Sequence, residues 1–459
     1  MSDLAVLAGF LVLLAGIGKW AAGRVHTSED FHLCGRRLSK WPVALSLAAT
    51  EFNGSGLVGG AGLAYSIGLA GVYWNYAAVP AWILLGFTVA VTFRKLALYT
   101  VPEFIGNHYG ERARVLASVS QLLSSVIFIA VQILVSTLTL STLLGLPREV
   151  TAVVVTLGFV LYTFAGGLLA VVWTDVACYF VLMAAVVIAV PLSWSYVEGW
   201  EGLRRALPDE QFDLARLGVM EPLAWVALCF YSYGTDQAYM QRVFAAKDPA
   251  IARFAYIFTG LNYLVFGGSV ALLGLTASVL VPDLAAHDQA FPALVSQVFP
   301  EGLRSLFLTA ILAATMSTAS SYLSASSSLF VKDIYERHLA THPTDQRLLS
   351  VSRMAVVLFA VAALVVAFGA PRIVDAVVLS VIIYHGAVFF PIVFAMYDPH
   401  VNRRLGFWSI LAGGVSGLAS HFFIYERVAY LGTIHPLFFG PPVSIVVLRF
   451  TRKAASGGR

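Results

Sequence analysis

Apolar runs of about 20 residues recur along this chain from one end to the other, and that recurrence leaves few folds open. A helix of that length crosses the hydrocarbon core of a bilayer with its backbone polar groups bonded within the segment. Only 12% of the 459 residues are charged and 59% are hydrophobic. A soluble domain carries about twice that charge. A β-barrel is excluded, because barrels show short alternating segments rather than continuous apolar runs. The fold class is an all-α polytopic membrane protein.

The pattern predicts about thirteen spans: 2–22, 41–69, 72–93, 115–144, 149–166, 168–195, 221–245, 250–281, 302–330, 350–370, 374–397, 405–424 and 429–448. With the N-terminus outside, twenty-one Lys and Arg fall on inner segments, among them Arg114 and Arg242, and seven on outer ones. That bias predicts an N-out, C-in protein of the plasma (inner) membrane. The net charge of +4 then belongs to the inner face and does not indicate a nucleic-acid partner. The chain starts without a basic stretch before its first apolar run, which reads as a retained span. Cys34, Cys178 and Cys229 lie far apart and form no metal or disulfide pattern. The outer segment 196–220 is amphipathic and predicts a short surface helix, and residues 449–459 form a basic cytoplasmic tail. No segment is long enough for a separate soluble domain, and no obligate protein partner is evident. The partners are the lipid bilayer and a small molecule.

Two spans look broken. In "SLAATEFNGSGLVGGAGLAYSIG", residues 46–68, glycines crowd together beside Glu51 and Asn53. This predicts backbone that leaves helical geometry and offers its carbonyls, the alternative being a packed Gly-rich helix. In "CFYSYGTDQAYMQR", Ser232 to Gln237 form a second polar interruption, or else the seventh span simply ends there. Spans two and seven are five apart, the spacing of two inverted repeats with ligands at the paired breaks.

Five motifs in order resemble the sodium:solute symporter family: "EDFHLCGRRLSKWPVALSLAAT", "TVPEF", "AGGLLAVVWTDV", "GTDQAYMQRVFAAKDPAIAR" and "ATMSTASSYLSASSSLFVKDIY". They cover most of residues 29–335; the last four spans match in hydropathy alone. The resemblance implies a leucine-transporter-like fold: a leading helix (2–22), two five-helix repeats (41–195 and 221–397) and two trailing helices (405–448). It implies a sodium-coupled symporter that imports a small organic solute by alternating access.

Ser317, Thr318 and Ser321 share a helical face with Ala314. Such hydroxyls either bond back to their own helix or bind a ligand. By resemblance, sodium is held by the carbonyls of Ala49, Phe52 and Ala314 and the hydroxyls of Ser317 and Thr318, and neutral oxygens suit a hard cation. A second sodium is implied at Asp175, Ser320 and Ser321. Asp175 is costly inside a span without a partner, unless it lies near the inner interface. Cys178 stands where many members have Gln.

Glu51 adds negative charge beside the cation, pairs with a cationic group on the solute, or binds free N–H groups at the break. The first two roles point away from a neutral sugar or a simple anion and toward an amine-bearing solute such as an amino acid. By resemblance Asn53, Gly56 and Asn75 face the central cavity. Trp74 and Tyr76 suit either that cavity or an interfacial belt. Tyr231, Ser232 and Tyr233 are candidates for cavity lining and a gate. Gln132 and His385 are set down as solute contacts, with a bond to a neighbouring helix as the alternative for Gln132 and a buried structural histidine for His385, beside Tyr384. No phosphate loop, metal triad or nucleophile–base motif points to an enzyme. Proton coupling through Glu51 and Asp175, a channel, and a ligand sensor on the same fold are the alternatives.

Overall fold

The computed structural model describes residues 2–369, 373–398, 403–424 and 436–450. The expected tail lies outside the described residues from 451 onward, as does the start of the last span. Helices dominate: α1 (Ser2–Ala22), α2 (Ser28–Leu33), α3 (Lys40–Glu51), α4 (Gly60–Ile67), α5 (Tyr73–Tyr76), α6 (Ala78–Phe87), α7 (Val89–Leu96), α8 (Val101–Tyr109), α9 (Glu111–Leu144), α10 (Arg148–Ser195) and α11 (Gly199–Ala206). There follow α12 (Met220–Thr235), α13 (Gln237–Ala245), α14 (Pro249–Leu280), α15 (Ala290–Gln297), α16 (Glu301–Leu329), α17 (Asp345–Ala367), α18 (Ile373–Ile383), α19 (His385–Tyr397), α20 (Gly406–Ala419) and α21 (Gly440–Phe450). Among the described residues the extended structure is a single parallel bridge between Leu38 and Ala246.

Eight of these segments are long and apolar enough to cross a membrane, or nine if α18 and α19, bent by 41°, are one span. By length and composition among the described residues, the expected thirteen is not confirmed. The shortfall has a physical origin: α3 holds 12 residues and α12 holds 16, because each ends at a break within its span. The fifth and sixth spans run together as α10, but Gly167 inside it has φ 53° and ψ −145°. A Cβ there would lie 2.4 Å from the Phe31 carbonyl oxygen, so glycine alone permits both the turn and the approach of α2.

Both breaks are present, with different chemistry. α3 ends at Phe52 (φ −75°, ψ 60°), and the Asn53 side chain starts the next helical stretch by accepting from Gly56 N at 2.9 Å and from Ser55 Oγ at 2.5 Å. Residues 55–59 then form a π-helical turn that leads into α4. The expectation that the glycines themselves unwind is corrected: they stay helical and buy close approach. A Cβ on Gly60 would lie 2.7 Å from Asn75 Nδ2, and one on Gly62 would lie 2.8 Å from the His287 carbonyl oxygen. At the second break Asp236 is extended (φ −74°, ψ 128°), and its carboxylate caps α13 through Ala238 N at 2.7 Å.

The amphipathic segment 196–220 forms α11, whose Leu203 is buried against Leu275 of α14. Arg114 and Arg242, counted among inner-face charges, are buried instead. Each is drawn inside by a carboxylate: Arg114 pairs with Asp333, which also accepts from Thr100 Oγ1 at 3.0 Å, and Arg242 pairs with Asp175.

Candidate functional site

The first break brings the end of α3 against the middle of α16. Ser317 Oγ lies 2.9 Å from the Ala49 carbonyl and 3.1 Å from that of Ala314. Thr318 Oγ1 lies 2.7 Å from the Thr50 carbonyl and 3.0 Å from that of Ala314. Four of the five expected residues thus meet, and all are buried. The fifth, Phe52, is the residue where the chain leaves α3, and its ring stacks on Phe266 at 4.4 Å. The Thr50 carbonyl joins the cluster in addition. Sequence reasoning missed it because its side chain carries no signal for a backbone contact. Each hydroxyl has one hydrogen and two lone pairs, so turning the hydrogen away presents an oxygen to a cation. The set is neutral throughout, which suits a singly charged hard ion.

Asp175 and Ser321 also converge, but around a guanidinium. Asp175 Oδ2 accepts from Ser46 Oγ at 2.6 Å, from Thr50 Oγ1 at 3.4 Å and from Arg242 Nη2 at 2.8 Å. Arg242 also reaches Ser321 Oγ and donates through Nε to Ser46 Oγ at 2.7 Å. Ser320 turns back to the Ser317 carbonyl at 3.0 Å. The carboxylate expected for a second sodium therefore already faces a positive charge.

On the other side of the break lies a narrow cavity lined by polar and aromatic side chains. Of the expected solute residues, Glu51, Asn53, Gly56, Asn75, Ser232, Tyr233 and His385 line it, and so does Trp74. Two are corrected. Tyr231 is not among the lining residues; it packs on Phe389 with ring centroids 5.3 Å apart, because its helix position faces α19. Gln132 lies behind the break, where its Oε1 accepts from Gly54 N at 3.1 Å and satisfies a backbone group that the interrupted helix leaves free. The walls also hold Tyr263, Tyr322, Tyr239, Trp225 and Phe128, and a single aromatic in a helical stretch gives no sequence signal of facing a cavity.

Glu51 is buried, and its Oε1 accepts from the hydroxyls of Tyr233 and Tyr263, the latter at 2.6 Å. Among the described residues its Oε2 has no hydrogen-bond partner. Asn75 Nδ2 donates to the Gly56 carbonyl at 3.2 Å, so the third span is tied to the helix after the break.

This arrangement, with a broken helix shared by a cluster of neutral oxygens and a polar cavity, is that of a transporter rather than an enzyme. A family model for the sodium:solute symporter family matches residues 31–413, and the chain belongs to that family. Among curated relatives it is 27% identical to a sodium/glucose cotransporter of Vibrio parahaemolyticus over 80% of this chain and 74% of that one. It is 28% identical to sodium/glucose cotransporter 2 of Rattus norvegicus, over 91% and 71% of the two chains. Among solved structures it matches a Na+-coupled sialic acid symporter in a substrate-bound outward-open state, with a TM-score of 0.87 at 20% identity, over 99% of this chain and 98% of that one. A transporter of the nucleobase-cation-symport-1 family matches with a TM-score of 0.61 at 16% identity, over 92% and 95%. The protein is an integral membrane transporter with the leucine-transporter-like fold.

Proposed function

We propose that this protein is a sodium-coupled symporter that imports a small organic solute by alternating access. The observation that carries the reading is that the sodium cluster and the solute cavity share one segment. Ala49 and Thr50 contribute carbonyls to the first, and Glu51 and Asn53 line the second. An ion that fixes those carbonyls fixes the cavity wall next to them, so each ligand binds better with the other present. The oxygens of Ala49, Thr50, Ala314, Ser317 and Thr318 would hold the ion, with Phe52 completing the turn. On this reading residues 41–195 and 221–397 are the two repeats, with the N-terminus outside and the membrane a plasma membrane.

The solute reading rests on hydrogen bonding. A cavity with the free Glu51 Oε2, the amides of Asn53 and Asn75, and flat aromatic walls suits a solute that donates hydrogen bonds. Relatives named for glucose transport favour a polyhydroxylated solute, in which sugar hydroxyls donate to Glu51. The unpartnered carboxylate oxygen also supports an ammonium-bearing solute. Uptake into proteoliposomes with an inward sodium gradient separates these readings, with sugars, sugar acids, amino acids and amines as probes. Uptake that ignores the sodium gradient would sink the coupling. Glu51→Gln should abolish uptake of amines selectively if it pairs with them, and should weaken uptake of hydroxylated solutes less.

A further inference from the structure

One end of the molecule gathers bases that no carboxylate neutralises. A short parallel pairing holds the segment before α3 to the segment after α13: Leu38 N donates to the Ala245 carbonyl at 3.1 Å, and Lys247 N donates to the Leu38 carbonyl at 3.0 Å. Arg94, at the end of α7, donates from Nη2 to the Lys247 carbonyl at 3.0 Å and from Nε to that of Ala246. These bonds bring Lys40, Lys95, Lys247 and Arg253 to one rim, and all four are exposed. Among the described residues none of the four has an ion-pair partner. The carboxylates nearby are engaged elsewhere: Glu29 pairs with Arg36, and Asp248 caps α14 through Ile251 N at 2.9 Å.

Two of these bases lie on aromatic rings. Lys40 Nζ is 3.8 Å from the ring centroid of Phe254 and 5.5 Å from that of Trp41. Arg253 Cζ is 5.9 Å from the ring centroid of Phe87. Trp41 packs edge-on against Phe254 and Phe258, with centroids 5.5 and 5.8 Å apart. Trp41 and Phe87 are nonetheless 54% and 56% exposed. Half-exposed rings under cations suit the level at which acyl chains end and head groups begin. Beyond the rings the surface continues apolar. Leu84 lies one turn from Phe87 on α6, Leu261 and Leu264 lie two and three turns from Arg253 on α14, and all three are exposed. The two helices meet closely at Gly86, where a Cβ would lie 2.9 Å from Tyr256 Cβ. A rim of free cations thus opens onto an apolar seam.

We propose that this rim is a binding site for an anionic phospholipid, with its phosphate between the Lys40 ammonium and the Arg253 guanidinium and an acyl chain along the seam of α6 and α14. Charge complementarity selects the occupant. A zwitterionic head group brings a cation of its own, which the unpaired bases repel, whereas an anionic one brings negative charge alone. A soluble acidic partner would leave Trp41, Phe87 and the seam uncovered. The Lys and Arg bias assigns this end to the inner face, where membranes carry their anionic lipids. The site also bears on transport. α3 carries Lys40 at one end and the Ala49 and Thr50 carbonyls of the sodium cluster at the other, so a lipid that grips Lys40 steadies the helix that supplies those oxygens. The site stands whatever solute or coupling ion the transporter uses.

Native mass spectrometry of the full chain in detergent, titrated with phosphatidylglycerol or with phosphatidylcholine, tests it. One phosphatidylglycerol should bind ahead of any phosphatidylcholine. Lys40→Gln with Arg253→Gln should weaken that binding about 30-fold, and either change alone about fivefold. Lys40→Arg with Arg253→Lys keeps both charges and should bind like the unaltered protein. Arg112→Gln, which removes an exposed base at the start of α9, should change nothing. An equal loss in Arg112→Gln means diffuse surface charge and overturns the site. Phosphatidylcholine binding as tightly as phosphatidylglycerol overturns it too. So does displacement of the lipid by glycerol 3-phosphate at the same concentration, which marks a soluble phosphate as the occupant. If the double variant does not fold, the single variants carry the test, and unchanged binding in both refutes the proposal.

Discussion

Asp175→Asn tests the buried pair that stands where a second sodium was expected. Both side chains are fully buried, and the contact from Arg242 Nη2 to Asp175 Oδ2 is 2.8 Å. After the substitution the guanidinium keeps its neutral acceptors, Ser46 Oγ and the Ala238 carbonyl at 2.6 Å, but loses its counter-charge. Breaking a buried pair on one side costs ~3–5 kcal/mol, because a desolvated charge is left uncompensated. The double variant Asp175→Asn with Arg242→Met removes both charges and should recover most of that loss. For 459 residues the unfolding entropy is on the order of 1 kcal/mol per degree, so the single variant should melt on the order of 4 °C lower in detergent. The assay is thermal unfolding of the two single variants and the double, read as a cycle. If Asp175→Asn melts with the unaltered protein, or if the two losses simply add, the pair does not hold the fold as argued. Sodium titration of the same variants then reads the site: with Arg242 in place, Asp175→Asn should leave the sodium Hill coefficient unchanged.

Ser317→Ala with Thr318→Ala removes two of the five clustered oxygens; at about 1–1.5 kcal/mol each the sodium concentration for half-maximal uptake should rise about 30- to 150-fold. Sodium dependence that survives this double change refutes the cluster. Gly54→Ala should destabilise the break by ~1–3 kcal/mol, since its Cβ would lie 2.8 Å from Thr315 Cγ2 and 2.9 Å from Gln132 Oε1; thermal unfolding reads the loss. His32, in the segment before the second span, is held neutral: burial first, and the Lys332 charge second, push its pKa down to about 3. The unfolded chain takes up that proton at about pH 6.5, so the stabilising contribution is full above that pH and fades as pH falls toward 3. His32→Gln should flatten the fall in stability between pH 6.5 and 4 in a melting series.

The two breaks were legible in sequence for different reasons. Asp236 announces itself as a cap after an apolar run, and α13 starts one residue later. The first break was placed correctly near Glu51 but credited to the glycines, which in fact stay helical and let Asn75 and the His287 backbone approach. Composition near a break does not say which residue leaves the helix; that depends on which neighbour needs the space. The hydroxyl face of α16 was readable because Ser317 and Thr318 fall three and four residues after Ala314 on a helix. The Thr50 carbonyl and the ring walls of Tyr263 and Tyr322 were not, because a backbone oxygen has no residue signature and a single aromatic in a helix does not say which way it faces.

Hydropathy and charge by themselves determined a helical membrane protein with two interrupted spans, because a bilayer admits few ways to satisfy a backbone. Only the tertiary structure decided where the long-range partners lie. Arg242 sits on a stretch that reads as inner loop, yet it is fully buried against Asp175, 67 positions earlier in the chain. Gln132 satisfies Gly54 N across 78 positions, the bond to a neighbouring helix that the sequence left open beside a solute contact, and His385 meets Asp236 from the far end of the second half. Charge pairing and hydrogen-bond satisfaction act through space at a few ångströms, and a sequence pattern records only neighbours along a helix.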